Sequence, residues 1–225
     1  MSISMFERLQ GLPILMGLSV NELMTIVEEV NFAFDKYYDG DTIVNQGDRC
    51  DKIIYVLRGK LCAYRRDDHH QFHIYEYFDK APHLIEPQNL WGMQQRFERT
   101  YSFTDEGNTC CIDKRQLNYL LSNYEIVKTN FINLICNKLQ TTSKLLNEGV
   151  PPTTEQRLLQ FLRNNKICHN GSTSLKIKME NLASIISDTR LNVSKVLNDW
   201  QSRGLIELQR GCITITDDTM LFNLK

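Results

Sequence analysis

Residues 179–200 read MENLASIISDTRLNVSKVLNDW. In the first half of this stretch, apolar residues such as Leu182 and Ile186 recur at the spacing of an α-helix. A break follows at Ser187-Asp188, and Thr189 then supplies a favourable N-cap for a second helix. Two short helices joined by a tight turn form a helix-turn-helix, so the sequence predicts this motif here.

The second helix of this motif has two chemically different faces. Its apolar residues define an inward face: Val193, Val196, Leu197 and Trp200. At about 100° per residue, the outward face carries Leu191, Lys195, Asn198 and Ser202, with Arg190 reaching forward from the first turn. Arginine and lysine donate to guanine, asparagine pairs with adenine, and an apolar side chain can contact a thymine methyl. A solvated helix face is the alternative, but in such motifs the second helix enters the DNA major groove, which favours DNA recognition.

The flanking residues extend the motif on both sides. Gly204 ends the second helix, and the segments 205–208 and 212–216 alternate around Arg210-Gly211, which predicts a β-hairpin wing. Upstream, residues 154–164 predict an amphipathic helix. The stretch Glu148–Pro152 contains a glycine and two prolines, so it stops a helix and predicts a domain boundary that serves as a hinge.

A long helical pattern precedes this boundary. From about Lys114 the apolar period is 3.6 residues, and neither Pro nor Gly intervenes, so we predict one helix of about 30 residues and about 45 Å. Two apolar stripes run along it, one at positions 120, 124, 127, 131 and 134 and the other at 117, 121, 132, 135, 139 and 146. One stripe can cover the rest of the chain, and the other needs a partner, for which the same helix of a second subunit is the simplest. Packing wholly within one chain is the alternative.

The N-terminal half has a different pattern. Residues 5–30 predict one or two short helices, and short alternating apolar runs follow Asn31. These runs are residues 42–44, 53–57, 61–64 and 72–75, with turn signals at Gly40, Gly47 and Gly59 between them. Short strands at regular spacing predict an antiparallel sandwich or barrel.

Composition sets further limits. The 225 residues are 42% hydrophobic and 24% charged, as in globular proteins. The longest apolar run, Ile53–Leu57, is too short to cross a membrane, and the start has no basic leader, so we expect a cytoplasmic protein without a membrane partner. Residues 1–149 carry a net charge of −4 and residues 150–225 carry +3, which fits a polyanion partner for the C-terminal third.

Cysteine spacing and missing motifs argue against metal and enzyme chemistry. Seven cysteines without Cys-x-x-Cys indicate reduced, mostly buried thiols rather than a zinc or iron–sulfur site. Haem is possible in principle through His69, His70, His73 or His83, but these are more simply surface or turn histidines. No Gly-rich phosphate loop, Gly-x-Ser-x-Gly or His-Glu-x-x-His occurs. We therefore predict no catalytic residues, no metal and no cofactor.

The chain resembles the Crp/Fnr family of bacterial transcription regulators over nearly its whole length. In the N-terminal half the resemblance rests on GDTIV (40–44), QGD (46–48) and IYVLRGKL (54–61), which is similar to a cyclic-nucleotide-binding β-roll. In the C-terminal third it rests on NLA (181–183), TRLNVSKVLN (189–198) and GLI (204–206). The resemblance implies an α+β protein with three parts: a jelly-roll-like antiparallel β-roll in 1–113, a long dimerisation helix in 114–148 and a winged helix-turn-helix in 149–225.

The resemblance also implies a homodimer whose two recognition helices enter successive major grooves. Arg190 matches the family's base-reading arginine, Lys195 a second basic position, and Ser194 a phosphate-contacting hydroxyl, whereas Leu191 replaces an acidic residue common in the family. We predict DNA contacts from these residues: Thr189, Arg190, Leu191, Asn192, Ser194, Lys195 and Asn198. We predict dimer contacts from Leu120, Tyr124, Val127, Phe131 and Leu134. The implied partners are double-stranded DNA, a second copy of the chain, RNA polymerase and a small-molecule effector that the sequence does not identify.

The effector pocket departs from the family pattern. Cyclic-AMP binders carry Gly-Glu followed by Arg-Ser or Arg-Thr, but here Met93 follows Gly92, and Arg99-Thr100 imitates the second pair in an ambiguous register. The predicted pocket residues are Trp91, Gly92, Met93, Arg96, Arg99, Thr100 and Tyr101, of which the aromatic ones are more simply explained as core. We predict that cyclic AMP is not the effector, and a constitutively active protein is the alternative. A cyclic-nucleotide-binding module acting through protein partners is the competing function, but it would not need a basic recognition helix beside a wing.

Overall fold

The computed structural model describes residues 5–78, 83–147, 149–166, 171–216 and 221–222. The chain forms two compact units. The first consists of Met1–Lys60, Lys80–Glu98 and Phe103–Lys144, and the second of Leu61–Asp79, Arg99–Ser102 and Leu145–Lys225. In the described part of the chain, no helix is long and apolar enough to cross a membrane.

The first unit begins with two short helices, α1 (Met5–Gln10) and α2 (Val20–Glu29), as the sequence predicts. A capping box starts α2, because the Ser19 hydroxyl accepts from the Glu22 N–H and the Glu22 carboxylate accepts from the Ser19 N–H. Five strands follow in this unit: β1 (Ala33–Tyr37), β2 (Thr42–Val44), β3 (Lys52–Arg58), β6 (His83–Ile85) and β8 (Gly107–Asp113).

Four of these strands form an antiparallel sheet in the order β1-β8-β3-β6. Its central strand β3 is buried from Ile53 to Val56, which explains the unbroken apolar run in the sequence. The turn after β3 requires glycine, since Gly59 has φ +108° and a Cβ there would lie 2.8 Å from the Cα of Gly107.

The long helical pattern forms two helices rather than one. They are α3 (Lys114–Asn123) and α4 (Glu125–Asn147), and Tyr124 between them has the extended angles φ −123° and ψ 102°. The Tyr124 hydroxyl donates to Glu29 Oε2 at 2.8 Å, so a tertiary contact with α2 holds the residue at the break. The prediction of one continuous helix was therefore wrong, because that contact is invisible to helical periodicity. A long helix remains, since α4 has 23 residues.

The second unit contains the helices α5 (Thr154–Asn165), α6 (Met179–Ile185) and α7 (Arg190–Ser202). Its strands are β4 (Leu61–Asp67), β5 (Phe72–Phe78), β7 (Thr100–Phe103), β9 (Ser172–Ile177), β10 (Glu207–Gln209) and β11 (Cys212–Ile215). They form one sheet in the order β10-β11-β9-β5-β4-β7. The α+β class, with a β-rich N-terminal region, a long helix and a C-terminal winged helix-turn-helix, is thus confirmed.

The β4–β5 hairpin is an integral part of this second unit. Strand β5 pairs antiparallel with β9, from Phe72 opposite Ile177 to Tyr77 opposite Ser172. Phe72 and Ile74 are buried in the same apolar cluster as Leu158 and Trp200, and the Phe72 ring meets Phe161 edge-on at 5.6 Å. The hairpin therefore supplies both a sheet neighbour and core side chains to the helices around the helix-turn-helix.

Candidate nucleic-acid interface

The helix-turn-helix consists of α6, a turn over residues 186–189, and α7. Ser187 in the turn has φ +54°, a left-handed conformation that is uncommon for a residue other than glycine. Thr189 is the N-cap of α7, since its hydroxyl accepts from the Asn192 N–H at 3.2 Å. Both helices and this cap lie where the sequence predicts them.

The inward face of α7 is a core face. Val193, Leu197 and Trp200 are fully buried, and Val196 is half-buried against the same cluster. The Trp200 indole N–H donates to Glu155 Oε1 on α5 at 2.9 Å, which satisfies the one polar atom of this large side chain. The predicted orientation of α7 is confirmed for these four residues.

The outward face of α7 presents mixed chemistry to solvent. The side chains of Arg190 and Leu191 are 68% and 65% exposed, and Lys195 and Asn198 are also exposed. Within the described residues, Arg190 forms an exposed ion pair with Glu180 on α6 at 3.3 Å, of a kind that contributes little stability. A guanidinium held this weakly is available to a new acceptor.

The remaining predicted contact residues have roles within the fold. The Thr189 hydroxyl is the helix cap, and the Asn192 amide donates to Asp188 Oδ1 at 2.8 Å. Ser194 is half-buried, and its hydroxyl oxygen is 3.5 Å from the Asn198 amide nitrogen. These hydrogen bonds lie within α7 and the turn before it.

The wing forms as the sequence predicts. Strands β10 and β11 pair from Glu207 opposite Thr214 to Gln209 opposite Cys212, and Gly211 in the turn has φ +73°. The neighbouring Arg210 is exposed at the tip of the hairpin. An exposed cation on a turn beside a recognition helix is a suitable contact for a DNA phosphate.

Sequence reasoning missed Asp188, a polar residue that joins several segments of this unit. Its side chain is buried and accepts from the Thr154 hydroxyl, the Arg157 guanidinium, the Thr189 N–H and the Asn192 amide, at 2.6 to 2.8 Å. These donors lower the pKa of Asp188 to about 2, with the Thr154 hydroxyl contributing most and the charge of Arg157 least. The pair Ser187-Asp188 predicts a turn between two helices. Nothing in the local sequence shows that the Asp188 side chain also accepts hydrogen bonds from α5.

The predicted effector residues fall in both units. In the first unit, Trp91 meets Phe131 of α4 edge-on at 5.4 Å, and the Lys114 ammonium lies 5.4 Å from the Trp91 ring. Arg96 donates to the Gly47 carbonyl at 2.6 Å, Gly92 has φ +91°, and the Met93 side chain is fully exposed. Within this unit Trp91 and Arg96 are thus structural contacts, and Met93 offers nothing to a polar ligand.

In the second unit, Arg99 is already paired. Its side chain is 7% exposed, donates to Glu76 Oε1 at 2.8 Å and to the Asn165 carbonyl at 2.6 Å. Thr100 is half-buried and Tyr101 fully buried on strand β7. Glu76 compensates the charge of Arg99 within the fold, so the Arg99 guanidinium is not free to bind an anionic ligand.

Most of the residues predicted to form the dimer contact are buried within the chain itself. Leu120, Val127 and Phe131 are buried, while Tyr124 and Leu134 are half-buried. On the second stripe of α4, Ile132 is 50% and Leu139 is 67% exposed, with the exposed Cys136 between them, whereas the exposed Ile126 lies on neither stripe. Three of the five side chains named for the dimer are therefore covered by their own unit, and the uncovered stripe is the second one.

Histidines and cysteines form no metal cage in the described ranges, where no group of three or more His, Cys, Asp or Glu is placed to hold an ion. His70 contacts Asp67, and His73 contacts the Tyr64 hydroxyl. The His83 side chain and Cys168 lie outside the described residues. Glu148 of the predicted hinge also lies outside them. Burial raises the pKa of Cys50 to about 11 and of Cys110 to about 12, which keeps both thiols protonated.

Comparison with known proteins agrees with this geometry. Residues 156–224 match the profile of the Crp-like helix-turn-helix domain. The chain is 21% identical over 193 residues to the CRP-like cAMP-activated global transcriptional regulator of Mycobacterium tuberculosis, covering 81% of this chain and 83% of that protein.

Two solved structures share the fold. The catabolite activator protein of Thermus thermophilus has a TM-score of 0.50 at 19% identity. A protein of Eubacterium rectale assigned to the Crp/Fnr family of transcriptional regulators has a TM-score of 0.53 at 20% identity. Each alignment covers 93% of this chain and 96% of the other. The resemblance found in the sequence is thus confirmed.

Proposed function

We propose that the chain is a DNA-binding transcription regulator of the Crp/Fnr type and that it acts as a homodimer on an inverted-repeat site. In this proposal the two copies of α7 read half-sites about one helical turn apart. The functional division is a β-roll sensor in 1–113, a dimerisation segment in 114–148 and a DNA-binding domain in 149–225.

The observation that carries the base-reading role is the outward face of α7. It combines a guanidinium, an apolar side chain, an ammonium and an amide on one exposed surface, at Arg190, Leu191, Lys195 and Asn198. This set matches what a major groove offers, because guanine presents acceptors, thymine a methyl group and adenine a donor–acceptor pair. The capped N-terminus of α7 places Arg190 at the end that reaches furthest into a groove in helix-turn-helix complexes.

The observation that supports a dimer is the uncovered stripe of α4. Ile132 and Leu139 lie seven positions apart, and Cys136 and the half-buried Ile135 lie between them on the same side of the helix. A heptad separation of exposed apolar residues is the pattern of a helix that packs against a second helix. We therefore assign the dimer contact to this stripe and not to Leu120, Val127 and Phe131.

The proposed control is an effector acting through the segment around Trp91. Trp91 packs on Phe131, and the neighbouring Leu90 carbonyl accepts from the Lys114 ammonium at 2.6 Å. A ligand that moved Trp91 would thereby disturb α4, which carries the dimer stripe. An effector shifts the DNA-binding population only by its differential affinity for the two states.

Cyclic AMP activates the M. tuberculosis relative, but we propose that it is not the effector of this chain. A cyclic nucleotide needs a carboxylate for the ribose and an arginine for the phosphate. The exposed Met93 cannot replace that carboxylate, and Arg99 is bound to Glu76. RNA polymerase is a further proposed partner, as the family resemblance implies.

One experiment tests the core of this proposal. The purified protein is used to select binding duplexes from a random library, and the complexes are sized by analytical ultracentrifugation at micromolar concentration. We expect an enriched inverted repeat with half-sites spaced by about one helical turn and a complex of two chains per duplex. Enrichment of a single asymmetric site by a monomer would overturn the homodimer, and no enrichment at all would overturn base readout.

A further inference from the structure

Two residues in the first turn of α5 contact opposite ends of the recognition helix: one contacts the turn just before α7, and the other contacts the last turn of α7. At the N-terminal end, the Thr154 hydroxyl donates to Asp188 Oδ2 at 2.6 Å, one residue before the cap of α7. Towards the C-terminal end, Glu155 Oε1 accepts from the Trp200 indole at 2.9 Å. Two adjacent residues of α5 thus hold the recognition helix near its start and near its finish.

The Asp188 carboxylate joins the two helices by dividing its oxygens between them. Oδ2 accepts from Thr154 and from Arg157 Nη2 on α5, while Oδ1 accepts from the Thr189 N–H and the Asn192 amide of α7. The side chain is only 6% exposed, so water competes little for these bonds. Since hydrogen bonds to a charged acceptor are the strong ones, this arrangement ties the first turn of α7 firmly to α5.

The Arg157 guanidinium extends the connection to the turn itself. Besides Asp188, it donates through Nη1 to the Ser187 carbonyl at 2.9 Å and to the Ile186 carbonyl at 3.3 Å. Ser187 has φ +54°, and this strained turn therefore depends on support from outside. A planar fork of donors can hold a carboxylate and two carbonyls at once, whereas a lysine ammonium at the end of a flexible stem cannot reproduce that geometry.

We propose that Thr154, Arg157 and Asp188 are positioning residues for base readout, which fix the angle of the recognition helix relative to α5. The inference rests on the proposed reading of bases by α7. A helix of 13 residues is about 19 Å long, so a pivot of about 5° at its C-terminal end would move the first turn by about 1.6 Å. A displacement of that size exceeds the tolerance of a bidentate hydrogen bond between Arg190 and a base.

This arrangement has a consequence for control. Helix α5 begins at Thr154, two positions after Pro152, so its first turn is the first regular structure beyond the predicted hinge. Because that same turn holds α7, we expect α5 and α7 to move together in any motion at the predicted hinge. The recognition helix therefore cannot tilt independently of α5 while these bonds are intact.

The test compares variants in which no DNA-facing residue changes. Arg157→Lys keeps the charge but loses the fork, Asp188→Asn removes the carboxylate, and Arg163→Lys makes the same exchange elsewhere on α5 as a control. Each full-length variant is titrated with a duplex selected by the wild-type protein and with a scrambled duplex, at two salt concentrations and well below its own Tm.

We expect Arg157→Lys and Asp188→Asn to weaken binding to the selected duplex by about tenfold, the order of one good base contact. Binding to the scrambled duplex and the salt slope should stay at the wild-type values, because no phosphate contact is lost. Arg163→Lys should keep the wild-type ratio of the two affinities.

Variants that lower Tm yet keep the wild-type ratio would show a merely structural role and overturn the inference. Should Asp188→Asn fail to fold, the pair Thr154→Val and Thr154→Ser makes the same comparison, and the serine variant should restore discrimination. If wild-type protein itself does not distinguish the two duplexes, base readout by α7 fails and this inference falls with it. Discrimination by wild type that persists in every variant overturns the positioning role alone.

Discussion

Arg99 and Glu76 form a buried ion pair inside the second unit, with Nη1 and Oε1 2.8 Å apart and both side chains at most 7% exposed. The same guanidinium donates to the Asn165 carbonyl at the end of α5. One arginine thereby joins the β7 strand, the β4–β5 hairpin and the DNA-binding helices. Removal of one member of such a pair leaves an uncompensated buried charge, which costs more than the pair contributes.

The first prediction concerns cyclic AMP and follows from the ion pair between Arg99 and Glu76. We expect calorimetry with millimolar cyclic AMP, and with cyclic GMP, to detect no binding tighter than about 10 μM. The physical reason is that a phosphate would have to displace a carboxylate and a carbonyl from a buried guanidinium, while the exposed Met93 offers no acceptor to the ribose. Tighter binding together with a gain in DNA affinity would contradict this prediction.

Base readout gives the second prediction. Arg190→Ala and Lys195→Ala should each reduce specific binding by about 1–3 kcal/mol if they contact base edges. Titration of a selected and a scrambled duplex at two salt concentrations measures this loss, because a lost phosphate contact would weaken both duplexes alike. Lys36→Ala removes an exposed charge from β1 and serves as the control. If both α7 variants bind the selected duplex like wild type, α7 is not the reading helix.

The third prediction tests the dimer stripe. Ile132→Lys and Leu139→Lys place charges on the proposed interface and should convert the dimer into a monomer, as measured by sedimentation velocity at micromolar concentration. Maleimide labelling of Cys136 should be slow in the wild-type dimer and fast in these variants, because the exposed thiol lies between the two positions. Met24→Lys adds a charge at an exposed apolar residue of α2 and should leave the dimer intact. Unchanged sedimentation of both stripe variants would refute the assignment.

The fourth prediction concerns the hairpin. Phe72→Ala should lower the free energy of unfolding of the second unit by about 3–5 kcal/mol, the usual cost of deleting a buried phenylalanine. Tyr77→Ala is the matched control on the same strand, since Tyr77 faces the opposite side of the sheet and is 39% exposed. Urea unfolding in a Trp91→Phe background, followed by the fluorescence of Trp200, measures both. Equal effects of the two substitutions would show that the hairpin does not belong to this core.

The fifth prediction concerns the pH dependence of the stability that the Asp188 carboxylate contributes. Its pKa in the folded protein is lowered from 3.8 to about 2, so the stability that it contributes is complete above pH 4 to 5 and is lost as the pH falls towards 2. Thr154→Val removes the donor with the largest effect and should shrink this loss, while Thr154→Ser should retain it. Urea unfolding at pH 6 and pH 3 gives the difference. A loss of the same size in the valine variant would rule out Thr154 as its main cause.

The sequence by itself determined the features that depend on near neighbours. The positions of α5, α6, α7 and the wing follow from apolar periodicity, from the Thr153 and Thr189 caps and from Gly211, all of which act within a few residues. The inward face of α7 follows from the same periodicity, and with it the exposed set that includes Arg190 and Lys195. Local hydrogen bonds and side-chain spacing suffice for these features because every partner is already adjacent in the chain.

Tertiary structure alone decided which distant groups meet. Helical periodicity could show two stripes on the long segment but not that Val127 and Phe131 would be covered while Leu139 stayed exposed, nor that Glu29 would hold Tyr124 at a break. The choice of β9 as the neighbour of β5 likewise links residues about 100 positions apart. The same holds for the contacts of Asp188 with Thr154 and Arg157, because burial and charge pairing depend on which surfaces the folded chain brings together.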